Sequence, residues 1–230
     1  MSGTDWLSYS LQDFIMFGPQ VFLRLFVRIN QDVWPWSLLA VLIGIVVPLL
    51  LLNHRPLFRR VAMGLVSVAW VTSGYGFLVS YFGPINWPAQ WFGWAFVVQG
   101  GLLGSAALFG GIRLSQRPSG RKADHWLAAL WVVAVLGLPL LTVAQSGDWK
   151  ALGLFGLAPG TTAVASMLVT GFLPGPWRWI YLVVPLLWSL FSAATYWVLQ
   201  TWWLLGLPVA TLIFTAIGLW LSPSRGQSRG

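Results

Sequence analysis

The chain contains no cysteine and no glutamate, and charged residues make up only 8% of it. The absence of cysteine excludes disulfides, thiolate metal sites, iron–sulfur clusters and cysteine nucleophiles. Soluble globular domains carry roughly 25% charged residues, whereas 57% of this chain is hydrophobic. The composition therefore predicts an all-α, polytopic membrane helix bundle.

The basic residues lie between apolar runs rather than on a soluble face. They give the chain a formal net charge of +8. Basic loops of this kind orient a membrane protein and contact anionic lipid head groups. We therefore expect the lipid bilayer as a partner and no nucleic acid.

The apolar runs predict about seven transmembrane helices within residues 34–221, followed by a polar tail at 222–230. A helix needs about 20 apolar residues to cross a bilayer. Six runs meet or approach this length: 36–52, 61–82, 88–112, 126–145, 179–199 and 202–221. The seventh, 151–174, is interrupted at Pro159-Gly160, which predicts a discontinuous segment that either spans the membrane or re-enters it.

Residues 1–33 are predicted to form an amphipathic segment that lies along the membrane interface. Gly18-Pro19 restarts the helix, because proline lacks an N–H donor and crowds the preceding turn. Polar residues spaced by three, four or seven fall on one stripe of a helix. The residues with this spacing are Asp13, Gln20, Arg24, Arg28 and Gln31. The alternative is a first span whose arginines are shielded by other helices.

The distribution of lysine and arginine predicts how the chain threads the membrane. Ten of the thirteen fall in the segments 53–60, 113–125 and 175–178 and in the C-terminal tail. The other side keeps Arg24, Arg28 and Lys150. Because cytoplasmic loops are enriched in basic residues, we expect an outside N-terminus and a cytoplasmic C-terminus.

The uncharged hairpin at 81–101 supplies the first half of a candidate polar site. It carries Asn86, Gln90 and Gln99. Thr161 and Thr162 follow the Pro159-Gly160 break and supply the second half, because both breaks lie towards the outer side. The alternative is that Gln99, Ser105, Ser166 and Thr170 simply form hydrogen bonds between helices.

Acids and histidines are confined to the loops. His54 and His125 lie in predicted cytoplasmic loops, where Asp124 is the nearby carboxylate. The predicted spans hold no acid, base or histidine, and such residues usually mark ion pathways within a membrane. We therefore expect no catalytic residue, no cofactor and no metal site.

Glycines give the run 88–112 a smooth face. Gly100 and Gly104 have the small-residue spacing that lets two helix backbones approach closely. This spacing predicts tight helix packing in general and does not specify a dimer.

Three patches carry a resemblance to a known family. They are NQDVWP at 30–35, FGPIN at 82–86 with Ala89, Phe92 and Gly93, and FGLAPGTT at 155–162. Together they resemble an uncharacterised bacterial membrane-protein family, the domain of unknown function sixty sixty-four. The resemblance implies a multi-pass inner-membrane protein and supplies no activity. The third patch lacks the cysteine and proline expected after Pro159, which argues against essential thiol chemistry.

These observations predict a protein that is not an enzyme. The leading hypothesis is an accessory or scaffold subunit of a membrane assembly, whose partner is another membrane subunit or a second copy of the chain. The alternative is a permease or channel for a small neutral solute, built on the broken segment and the hairpin amides.

Overall fold

The computed structural model describes residues 17–53, 55–109, 121–173 and 175–220, with backbone only at 121–124 and 175–176. Within these ranges the chain forms helices and turns and no strand. The all-α prediction is therefore confirmed for this part of the chain. His54, Asp13 and the predicted tail at 222–230 lie outside the described residues.

The described helices follow one another with short connections. The α-helices are α1 Pro19–Asp32, α2 Ser37–Leu52, α3 Pro56–Val71, α4 Trp87–Phe109, α5 Arg121–Val132, α6 Leu140–Ser146, α7 Pro159–Met167, α8 Gly175–Val198 and α9 Gly206–Trp220. α3 continues as a π-helix over Thr72–Phe82, and a second π-helix, Val133–Gly137, follows α5. Short 3₁₀-helices occupy Trp149–Ala151, Leu168–Phe172 and Trp202–Leu205.

Five helical stretches of the described chain are long and apolar enough to span a membrane. They are Pro56–Phe82, Trp87–Phe109, His125–Ser146, Trp177–Val198 and Trp202–Trp220. α2 has 16 residues, about 24 Å at 1.5 Å per residue, and is counted as a further span only together with α1. Seven crossings stay a prediction.

α1 is an amphipathic helix set at an angle of 94° to α2. It begins at Pro19, as the Gly18-Pro19 sequence predicts, because the first helical position does not need an N–H donor. Its polar stripe, including Arg24, is exposed, while Phe22 and Phe26 are buried against the bundle. α1 therefore packs sideways on the bundle, and the interfacial position predicted for residues 1–33 stays a prediction.

One end of the bundle, which we call the elbow end, contains the α1–α2 junction. Asn30 Nδ2 in α1 donates to Lys150 O at 2.9 Å, which brings the turn after α6 to this end. Tyr81 OH donates to Asp32 Oδ2 at 2.7 Å, which brings the end of the π-helix here as well.

The opposite end gathers the start of α3 and the end of the α7 segment. Arg59 Nε donates to Asn53 O at 3.1 Å, and its guanidinium lies 5.8 Å from the centre of the Phe172 ring. Arg178 Nη2 donates to Leu173 O at 3.1 Å. The segment 153–173 therefore leads from the elbow end to the basic residues Arg59 and Arg178.

The glycines of α4 pack against α3. Ser67 Oγ in α3 donates to Gly100 O at 2.7 Å. A Cβ placed on Gly100 would lie 2.9 Å from Ser67 O, and one on Gly104 would lie 2.8 Å from Ser67 Oγ. The tight packing predicted from the Gly100/Gly104 spacing is confirmed, and it joins two helices of the same chain.

The π-helix at the end of α3 was not predicted from the sequence. Gly83 N–H donates five residues back to Leu78 O at 2.7 Å. At its start, Thr72 Oγ1 lies 2.7 Å from Gly156 O and 2.9 Å from Val68 O, so the two carbonyls share its single hydroxyl hydrogen. Side-chain bonds of this kind compete with the regular helical ladder. The contact with Gly156 ties the changed helical geometry to the segment before α7.

Candidate functional site

The short helix α7 lies inside the bundle, and every residue from 158 to 173 is buried. The break predicted at Pro159-Gly160 is the N-terminus of this helix. Irregular backbone at membrane depth must be buried in protein or line a cavity. The contacts of the side chains around this N-terminus therefore show whether the region is a closed core or the wall of an open pathway.

Thr161 and Thr162 fasten the turn that precedes α7. Thr161 Oγ1 donates to Gly153 O at 2.6 Å. Thr162 Oγ1 accepts a hydrogen bond from Gly156 N–H and donates one to Ala158 O, both at 2.8 Å. Both threonines are almost fully buried. Their hydroxyls satisfy backbone groups of the turn that precedes α7 and do not join two long helices.

A chain of hydrogen bonds connects Thr162 to Gln99. Ser166 Oγ donates to Thr162 O, and Trp70 Nε1 donates to Ser166 Oγ at 2.9 Å. Tyr181 OH donates to Ser166 O at 3.3 Å, and Gln99 Nε2 donates to Tyr181 O at 2.8 Å. This buried network joins α3, α4, α7 and α8. Sequence reasoning missed Trp70 and Tyr181, although polar-tipped aromatic residues usually find a partner when buried.

Asn86 and Gln90 lie at the elbow end, apart from the buried network. Asn86 is half-buried and Gln90 is exposed. Gln99 in α4 follows Asn86, the residue before this helix, by thirteen positions, which corresponds to about 20 Å along the helix. Among the described residues no hydrogen bond joins Asn86 or Gln90 to Thr161 or Thr162. The structure thus connects three of the predicted site residues, Gln99, Thr161 and Thr162, through the α7 region.

A groove of about 530 Å³, the elbow groove, opens between the α1–α2 junction and the turn after α6. The residues that line it include Gln31, Trp34, Leu38, Val41, Lys150 and Leu152. Asn30 Nδ2 holds the two walls together through bonds to Lys150 O at 2.9 Å and Leu152 O at 2.8 Å. Most of the surface that lines the groove is apolar. Trp34, Trp149 and Lys150 are exposed lining residues, and we call them the rim of the groove, whereas Ser37 is buried.

A second groove of about 440 Å³, the flank groove, lies between α2 and the π-helix. The residues that line it include Val33, Trp36, Tyr75, Tyr81, Phe155 and Gly156. Near its Tyr81 end, Arg28 Nε lies 3.6 Å from Asp32 Oδ2, which also accepts the Tyr81 hydroxyl bond. The positive charge beside this groove is therefore paired with a carboxylate.

Potential metal ligands are scattered over the part of the chain that the structure describes. No group of three or more histidine, cysteine, aspartate or glutamate side chains occurs there. His125 is exposed at the start of its helical stretch. The side chain of Asp124, the carboxylate next to His125 in the sequence, lies outside the described part of the structure. The statement about metal ligands therefore does not cover the pair of His125 and Asp124.

Residues 19–226 match the family of unknown function DUF6064. The chain belongs to this family. No curated protein and no solved structure matches it. The predicted resemblance to the family is thereby confirmed over most of the chain.

Two of the patches that carry the DUF6064 resemblance meet at the elbow end. Asn30 and Trp34, from the first patch, line the elbow groove. Val33, from the same patch, lines the flank groove together with Phe155 and Gly156 from the third patch. The residues by which this DUF6064 chain resembles its family therefore form walls of the two grooves that flank α2.

Proposed function

We propose that this protein crosses a bacterial inner membrane seven times, with the elbow end outside. The crossings are α2, α3 with its π-helix, α4, α5 with α6, the α7 segment, α8 and α9. The contacts of Asn30 with Lys150 and of Arg59 with Phe172 place the two ends of the α7 segment at opposite ends of the bundle. In this proposal the α7 segment crosses the membrane, and the neighbouring helices shield it from lipid.

Reporter fusions test this topology. A reporter joined after Lys150 is expected to be active only outside the cell, and one joined after Arg121 only in the cytoplasm. The reason is that the basic loops stay on the cytoplasmic side. A cytoplasmic signal at Lys150 together with an external signal at Arg121 would contradict the proposed orientation.

We further propose that the protein is a non-catalytic accessory or scaffold subunit. One observation carries this proposal: the bundle interior is filled by α7, whose residues are all buried. The hydroxyls of Thr161, Thr162 and Ser166 are bonded to backbone groups. A bundle whose centre is filled and hydrogen-bonded internally is suited to act as a rigid body that binds other proteins through its surface.

The large exposed apolar side chains of α4 support the same proposal. They include a row formed by Trp87, Trp91, Trp94, Val98 and Leu102. Their spacing of three or four residues places them on one side of the helix. Such a surface suits contact with lipid, with another membrane subunit or with a second copy of the chain.

Purification in mild detergent tests the subunit proposal against the permease alternative. We expect a stoichiometric membrane partner or a second copy of the chain to be purified with the protein. The reason is that the interior of the bundle is filled, so a partner binds at the surface. Liposomes containing the purified protein are expected to take up glycerol and urea no faster than empty liposomes. Asn86→Leu is expected to leave this uptake unchanged, with Gln90→Leu as the matched variant at the exposed position. Uptake that Asn86→Leu abolishes would support the permease.

A further inference from the structure

The rim of the elbow groove carries hydrogen-bond donors that the described residues leave free. The Lys150 ammonium makes no ion pair or hydrogen bond within the described ranges. The indole N–H groups of Trp34 and Trp149 likewise have no acceptor there. Trp34 is 64% exposed and Trp149 is 70% exposed. One positive charge and two further donors thus surround an apolar groove.

Asp148 does not neutralise this charge by direct contact. Its Oδ1 accepts the backbone N–H of Lys150 at 2.9 Å and caps the short 3₁₀-helix. The ion pair formed among the described residues joins Arg28 to Asp32, beside the other groove. The positive charge of Lys150, at the rim of the elbow groove, is therefore available to bind an anion that is not part of this chain.

The apolar part of the groove has the size of a ligand site. Its volume of about 530 Å³ falls within the range of about 300–1,000 Å³ for small-molecule pockets. Leu38 and Val41 of α2 line it together with Leu152 and Leu154. A ligand that fits both parts carries an apolar chain and a head group rich in hydrogen-bond acceptors.

We propose that the elbow groove binds an anionic phospholipid. Its acyl chain lies along Leu38, Val41 and Leu152, and its phosphate oxygens accept hydrogen bonds from Lys150 and the two tryptophans. This inference rests on the proposed membrane location, since the tryptophans then lie at head-group level, where such side chains are enriched. Asn30 is a positioning residue, because its two bonds hold Lys150 and Leu152 against α1.

Native mass spectrometry of the full-length protein tests the proposal. The protein is reconstituted in nanodiscs that contain equal amounts of phosphatidylglycerol, phosphatidylcholine and diacylglycerol, and is then released into detergent. We expect one phosphatidylglycerol to be retained in preference to the other two lipids. A basic residue near the head groups contributes about 1 kcal/mol, so Lys150→Gln is expected to lower the phosphatidylglycerol preference about fivefold.

Two further variants separate the groove from general surface charge. Arg24→Gln removes an exposed charge from the same end of the bundle, outside the groove, and is expected to leave the preference unchanged. Val41→Trp fills the groove and is expected to reduce the retention of all three lipids. A photoreactive residue at position 41 is expected to form a cross-link to an acyl chain.

Several outcomes would overturn the proposal. They are equal losses in Lys150→Gln and Arg24→Gln, unchanged retention in Lys150→Gln, and a cross-link from position 41 to a protein instead of a lipid. An alkaline carbonate wash of membranes distinguishes a failure of the lipid-site proposal from a failure of the proposed membrane location. A protein that stays in the membrane but shows no lipid preference refutes only the lipid site, whereas a protein that is washed off refutes the membrane location itself.

Discussion

Gly100→Leu is expected to destabilise the protein by about 3 kcal/mol, the upper part of the range for overpacked sites. The first added carbon would already lie 2.7 Å from Val71 Cγ2 and 2.9 Å from Ser67 O. The Val71 side chain can rotate, but the Ser67 carbonyl belongs to the α3 backbone. The two helices must therefore separate, which also breaks the 2.7 Å bond from Ser67 Oγ to Gly100 O. Thermal unfolding in detergent is expected to show a Tm lower by about 6–12 °C.

The neighbouring glycine provides a matched control. A Cβ on Gly101 has no atom within 4 Å, and the residue is exposed. Gly101→Leu is therefore expected to leave the Tm unchanged or to raise it slightly, since leucine favours a helix by up to about 1 kcal/mol over glycine. Equal losses of stability in the two variants would show that the α3–α4 contact is not the cause.

Thr162→Val is expected to cost about 2 kcal/mol and to lower the Tm by about 4–8 °C. Valine keeps the shape of the side chain but removes the oxygen that accepts Gly156 N–H at 2.8 Å. That N–H would be left inside the protein without this acceptor, and an unsatisfied buried donor loses its solvation without compensation. Thermal unfolding of the purified variant measures the loss.

Thr211→Val is the control for this substitution. Thr211 is also buried, but its hydroxyl only donates to Leu207 O within its own helix, at 3.0 Å. We expect a loss below about 1 kcal/mol, as is usual for hydroxyl bonds in membrane helices. Thr162→Ser retains the acceptor and is expected to recover most of the stability. A loss in Thr162→Ser as large as in Thr162→Val would contradict the role assigned to the hydroxyl.

Local sequence patterns predicted the elements that depend on neighbouring residues. The start of α1 at Pro19 follows from the chemistry of proline, and its exposed stripe follows from the helical period. The close approach of α3 and α4 follows from the lack of side chains at Gly100 and Gly104. Each of these features needs information from only one stretch of the chain.

The hydrogen-bond network of the interior could not be predicted in this way. Trp70 and Ser166 are 96 positions apart in the chain, and Gln99 and Tyr181 are 82 apart. Their pairing depends on which helices meet, and no periodicity within one segment encodes that. The start of the π-helix also has a distant partner, because Thr72 Oγ1 bonds to Gly156 O, 84 positions away.

The two grooves could not be predicted from the sequence either. The patch at 30–35 identified the start of α2, but it did not reveal the 94° angle between α1 and α2. That angle leaves open space on both sides of α2, where segments distant in the chain complete the walls. The sequence pointed to amides and hydroxyls, several of which form hydrogen bonds inside the protein. The donors that the described residues leave free lie on Lys150, Trp34 and Trp149.

The burial of α7 has a consequence for the order in which the protein assembles. Ribosomes synthesise α7 before α9, yet a Cβ on Gly160 would lie 2.8 Å from Leu207 Cδ1, so α9 directly covers the beginning of α7. Since all of its residues are buried, α7 leaves apolar surface uncovered until its neighbours have packed around it. That surface is covered in full only after α9 has been synthesised and has packed over the beginning of α7. Packing of the bundle around α7 is thus completed late in the assembly of the described chain.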